Sequence, residues 1–145
     1  MCFWITIGEL RDLRDLRESV KASLVLVVFL TKDVLTRPWC LAEIITAIEN
    51  QIPIVSVTIE GQGNSFDFAA NQAFLQSPDF PSALDQANPG AVEELKKQGI
   101  DAQKMGAAIG SMLPYIISKS YNVAATERVR EAQLADILDT LMEKI

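Results

Sequence analysis

The run Leu24-Val25-Leu26-Val27-Val28-Phe29-Leu30 constrains this chain most, because seven consecutive apolar side chains admit no polar face. Period-2 alternation would mark a sheet with one wet face. An unbroken run with a β-branched core instead marks a strand covered on both faces, as in a parallel sheet. Pro53-Ile54-Val55-Ser56-Val57-Thr58-Ile59 reads as a second such strand, ending at Gly61. Between them, Leu41, Ile44, Ile45 and Ile48 give one apolar stripe to a helix over 38–50. Pro38 fits its first turn, where a missing N–H costs nothing, and Thr36 is the expected N-cap. Strand, helix and strand over 24–59 form a βαβ unit, whose crossover is right-handed.

The flanks extend this pattern. Phe3-Trp4-Ile5-Thr6-Ile7 reads as a short strand stopped by Gly8, followed by a helix over 9–21 with Leu10, Leu13, Leu16 and Val20 on one side. Residues 60–88 carry Gly, Pro, Asn, Ser and four Phe without a sustained period, so they predict a long ordered connection with a short helix over 68–76. Asn88 is the expected cap of a helix from Pro89 to Gln98, and 102–113 predicts another, ended by Pro114. Tyr115 to Ser118 reads as a short strand. Thr126 to Lys144 reads as a final helix with Leu134, Ile137, Leu138, Leu141 and Met142 spaced three and four apart. The expectation is one α/β domain over 1–145, a parallel sheet flanked by helices on both faces.

Composition excludes several function classes. With no histidine there is no Ser-His-Asp or Cys-His nucleophile pair and no His-containing zinc site. Cys2 and Cys40 do not form a CxxC pair, which suits a reduced, cytoplasmic setting. The 13 cationic and 19 acidic side chains leave a net charge of −6, which argues against nucleic acid as a partner. A seven-residue apolar run is too short to span a membrane. Gly61-Gln62-Gly63-Asn64-Ser65-Phe66 has Phe where a dinucleotide fingerprint needs its third Gly, so it reads as a turn. No cofactor or metal is expected.

Thr31 to Glu43 remains, lying where the carboxyl end of the buried strand meets its helix, the place at which open α/β sheets gather ligands. At about 100° per residue, Glu43 falls roughly opposite the Leu41–Ile48 stripe and one turn beyond Trp39, so both side chains are expected off the core side. The plain reading is a solvated glutamate near a helix N-terminus and a packing tryptophan. Cys40, early in the helix, is either an activated thiol or an inert buried one.

Ser23, the run 24–30, Thr31-Lys32-Asp33-Val34-Leu35, Arg37-Pro38-Trp39-Cys40-Leu41-Ala42-Glu43 and Ile52-Pro53-Ile54-Val55-Ser56-Val57 together resemble the second half of a TIR (Toll/interleukin-1 receptor/resistance) domain. The specific element is Trp-Cys-x-x-Glu after a buried strand. Ile116-Ile117-Ser118 and the amphipathic helix after it resemble the family's last strand and helix. The resemblance implies a flavodoxin-like fold, with 3–59 as its core, 60–101 as an enlarged connection and 102–145 as the last strand and helices. It also implies an N-terminally incomplete domain. If Phe3–Ile7 matches the family's second strand, its first strand, first helix and the loop between them have no counterpart. Phe3–Ile7 then pairs directly with Leu24–Leu30, or a strand edge stays open.

Two functions follow from the resemblance. Most simply, the chain is an intracellular signalling module of innate-immunity type, working through TIR–TIR association with itself or with other TIR domains, and Arg37, Pro38 and Trp39 take part in the contact. Alternatively it is an NAD+ nucleosidase: some family members cleave nicotinamide from ribose, Glu43 then being the catalytic carboxylate and Trp39 a substrate contact. A fixed carboxylate suits that chemistry, because departing nicotinamide leaves positive charge on the ribose. The family's pocket also uses the loops after its first two strands; the first is missing here and Gly8-Glu9-Leu10 leaves little of the second. A flavodoxin-like receiver or nucleotide-binding domain would need an acidic cluster or Gly-rich loop after the first strand, and neither is present.

Overall fold

The structure, a computed structural model, describes residues 2–4, 13–63 and 65–145. Its centre is the expected βαβ unit. Strand β2 (Leu26–Leu30) pairs in parallel with β3 (Ile54–Glu60), with Leu26 opposite Ile54 and Leu30 opposite Thr58. Helix α2 (Pro38–Glu49) makes the crossover. A third parallel strand, β4 (Ile117–Asn122), pairs with β3 from Val55–Ile117 to Glu60–Asn122. The unbroken apolar run of β2 follows from burial on both sides. Leu26, Val28 and Leu30 enter the main core, whereas Val27 enters a second cluster with Val57 and Ile137 on the opposite face.

One edge departs from the expected all-parallel sheet. Strand β1 (Cys2–Trp4) pairs directly with β2, and it runs antiparallel, Cys2 opposite Val28 and Trp4 opposite Leu26. This pairing covers the backbone groups of β2 that would otherwise form an open apolar edge. Residues 5–7, the rest of the expected strand, and 9–12, the start of the expected first helix, lie outside the described residues. Helix α1 runs Leu13–Lys21 and packs on α2, burying Leu16 and Val20.

The connection after β3 holds more helix than its composition shows. It carries α3 (Phe68–Leu75), α4 (Phe80–Ala87) and α5 (Ala91–Lys97), and then α6 (Ala102–Met112). The short helix expected over 68–76 is α3, capped by Asp67, whose Oδ1 accepts the Ala70 N–H at 2.9 Å. Helix α4 was not anticipated. Its stretch is too short to show a period, yet Pro81 sits in the first turn and the i,i+4 pair Phe80 and Leu84 is fully buried. Asn88 is not the N-cap of a helix from Pro89. Its N–H closes α4 on the Leu84 carbonyl, and α5 starts only after Gly90, which takes φ +90° while its N–H reaches Asp85 Oδ1.

Two further boundaries move. Tyr115 belongs to a short 3-10 turn over 113–115 and is 79% exposed, so β4 starts two residues later than the strand expected from Tyr115. At the other end of β3, Gly61 takes φ +89°, and a Cβ there would lie 2.8 Å from the Ala124 amide nitrogen, so the turn that leaves β3 beside the end of β4 needs glycine. The last helix, α7 (Glu127–Lys144), starts one residue later than expected, with Thr126 as its N-cap, and lies against β3 and β4. Helices therefore surround a sheet with three parallel strands, α2 meeting one face and α7 the other.

Candidate functional site

The chain leaves β2 at Thr31, turns once as 3-10 helix over Val34–Thr36, and enters α2 at Pro38. Val34 and Leu35 are buried and anchor this turn. The N-cap position belongs to Arg37, not Thr36. Arg37 is extended, with φ −91° and ψ 118°, and its carbonyl accepts the first helical bond from Leu41, whereas the Thr36 hydroxyl donates back to the Asp33 carbonyl at 2.8 Å. A threonine one residue too early satisfies the turn before it instead of the helix.

The turn is also held from outside. Asn88, at the end of α4, donates from Nδ2 to the Thr36 carbonyl at 2.9 Å. The long connection thus braces the segment that presents Arg37, Pro38 and Trp39. Nothing local in the sequence signals this contact, since the two residues are 52 positions apart.

The structure separates the two residues that spacing places together. Trp39 is 45% exposed, but Glu43 is only 5% exposed. The expectation that Glu43 lies off the core side is therefore corrected. Its cause is packing: α1, α5 and α6 all contact α2, and every residue from Cys40 to Ala47 is buried. A helix with neighbours on several sides has no solvated face to give its glutamate. Trp39 escapes because it lies in the first turn, before those neighbours begin. Arg37 is exposed, Pro38 is half-buried, and the Cys40 thiol is buried with the core, where a cysteine acts as a small apolar group.

The rim at the carboxyl end of β2 thus presents Lys32, Asp33, Arg37 and Trp39 to solvent. It offers two cations, one anion and an indole, which is contact chemistry. Among the described residues no group of three or more acidic or cysteine side chains is arranged to hold a metal ion, and no helix is long and apolar enough to cross a membrane. Comparison of the chain with protein-family models, curated proteins and solved structures finds no match.

Proposed function

We propose that the chain is a TIR-type signalling module that acts by associating with other TIR domains, copies of itself included. The sequence from Ser23 to Val57 supports the family reading, and so does the parallel β2–α2–β3 unit with its helix opening at the strand's carboxyl end. A flavodoxin-like arrangement of the remaining elements belongs to the same proposal.

One observation favours association over turnover: the Trp-Cys-x-x-Glu element turns its indole outward and its carboxylate inward. An exposed Trp beside an exposed Arg is the composition that dominates binding energy at protein interfaces. A catalytic Glu43 would have to reach substrate, and its side chain is enclosed by α2's neighbours. The test is sedimentation velocity of the chain over rising concentration. Self-association is expected, with Trp39→Ala and Arg37→Ala each weakening it by about tenfold or more at unchanged circular dichroism. A monomer at every concentration, or assembly indifferent to both substitutions, overturns this reading.

A further inference from the structure

Opposite charges stand exposed on two different patches of this chain. On the rim, Lys32 and Arg37 are exposed beside Trp39. Among the described residues no ion pair within the chain engages either cation. The other patch is an open cleft of about 570 Å³ between α4 and α5, walled by Pro81, Ser82, Asp85, Gln86, Val92 and Glu93. Its two acids are exposed, and no cation lines it. Asp85 is fixed there, because its Oδ1 accepts the Gly90 N–H at 3.1 Å, and its second oxygen remains for a partner.

A cleft of this kind selects a cation with an apolar neighbour. Asp85 and Glu93 accept from a guanidinium or an ammonium, and half-buried Pro81 and Val92 offer apolar surface to a flat ring beside it. The rim carries that set, with Arg37 and Lys32 as donors and Trp39 as the ring. We infer that the rim of one copy docks in the α4–α5 cleft of a second copy, Arg37 meeting Asp85 and Glu93 while Trp39 lies on Pro81 and Val92. This rests on the association reading above and names the surface that receives the rim. Both acids belong to the connection between β3 and α6, which thereby becomes the receiving half of the contact.

Charge distinguishes this cleft from the hollow between α1, α2 and α6. That hollow also has two acids, Glu49 and Asp101, but Arg17 and Lys104 line it as well, so no excess negative charge draws a cation there. A second copy is the fitting occupant because the chain carries both complementary halves. A net charge of −6 makes copies repel except where such halves meet, which confines association to this pairing. Exposed ion pairs contribute little singly, so the contact is weak and salt-sensitive, with the indole supplying most of its energy.

The test is sedimentation velocity of the unaltered chain, Arg37→Glu and Asp85→Arg/Glu93→Arg, with Asp139→Arg/Glu143→Arg as a control of equal charge change on α7. All these side chains are exposed, so unchanged circular dichroism is expected. Arg37→Glu and the cleft variant should each raise the dissociation constant by about tenfold or more. Glu93→Arg alone, which spares the Asp85–Gly90 bond, should act in the same direction. General repulsion predicts the reverse for the cleft variant, since its net charge moves toward zero, and the control, which shares that move, should not weaken association. An equimolar mixture of Arg37→Glu with the cleft variant should form a heterodimer where each alone stays monomeric, because an intact rim then meets an intact cleft. Raising salt from about 50 to about 500 mM should weaken the unaltered assembly about fivefold. Association lost in Arg37→Glu but kept in the cleft variant overturns this docking and leaves the rim reading standing, and so does a mixture without heterodimer. Association kept in Arg37→Glu, or a chain monomeric at every concentration, overturns both.

Discussion

Arg17 on α1 donates from Nε to the Thr46 hydroxyl on α2 at 2.9 Å, and that hydroxyl donates in turn to the Ala42 carbonyl at 2.6 Å. The same guanidinium reaches the Gln98 carbonyl from Nη1 at 3.0 Å and Glu49 from Nη2 at 3.4 Å. One planar fork therefore ties α1, α2 and the end of α5 together. Arg17→Ala is expected to lower stability by about 1.5–3 kcal/mol, read as a shift of the urea midpoint at constant slope. Arg17→Lys should recover only part, because an ammonium cannot hold three separately placed acceptors from one plane.

Two glycines of α6 should respond to alanine with opposite signs. At Gly106 a Cβ would stand 2.6 Å from Phe80 Cδ1 and 2.7 Å from the Leu75 carbonyl oxygen, and neither a buried ring nor a backbone can retreat. Overpacking of about 1–3 kcal/mol then outweighs the roughly 1 kcal/mol that alanine adds to a helix interior. At Gly110 the close atoms belong to the side chain of Gln76, which is exposed and can swing away. Gly110→Ala should therefore be neutral or stabilising by up to about 1 kcal/mol. Thermal unfolding of the two variants checks the reversal.

Phe80 tests whether the long connection is part of the core. It is fully buried and meets Phe74 edge-to-face, with ring centroids 5.1 Å apart. Phe80→Ala should cost about 3–5 kcal/mol, and protease should then cut the chain between β3 and α6 before it cuts elsewhere. A loss below about 1 kcal/mol would show the connection to be a surface insertion.

Asn88→Ala removes the bond to the Thr36 carbonyl and so loosens the turn before Trp39. A stability loss of about 1 kcal/mol is expected, together with weaker self-association at protein concentrations where the fold is intact. Loss of stability with unchanged assembly would detach the brace from the rim.

Nicotinamide release gives the last test. With the Glu43 carboxylate enclosed, the chain incubated with NAD+ should release no more nicotinamide than Glu43→Ala does. Release that depends on Glu43 would reverse the preference for association.

What was legible in the sequence follows from range. The strand 24–30, the helix after Pro38 and the last helix over 126–144 are set by neighbours a few residues apart, and each stands within two residues of its expected place. The burial of Glu43 depends on helices contributed by residues 13–21 and 91–112, which no helical wheel of α2 contains. The stripe of α7 was visible, but its width was misleading. Five apolar positions spaced three and four apart marked one broad stripe, yet the sheet takes in Ile137 and part of Leu141, leaving Leu134, Leu138 and Met142 outside. Helix α4 escaped because eight residues cannot establish a period.

The register of β4 bears on how the chain reaches this structure. Thr58 and Ser118 share a hydrogen bond although 60 positions separate them, so β3 gains its outer neighbour only after the whole helical connection has been synthesised. Contacts of such sequence separation form slowly. Meanwhile Leu26–Leu30, sticky on both sides, stands half-assembled, and Lys32 and Asp33 immediately after it are the gatekeeper charges that a nascent chain needs against aggregation.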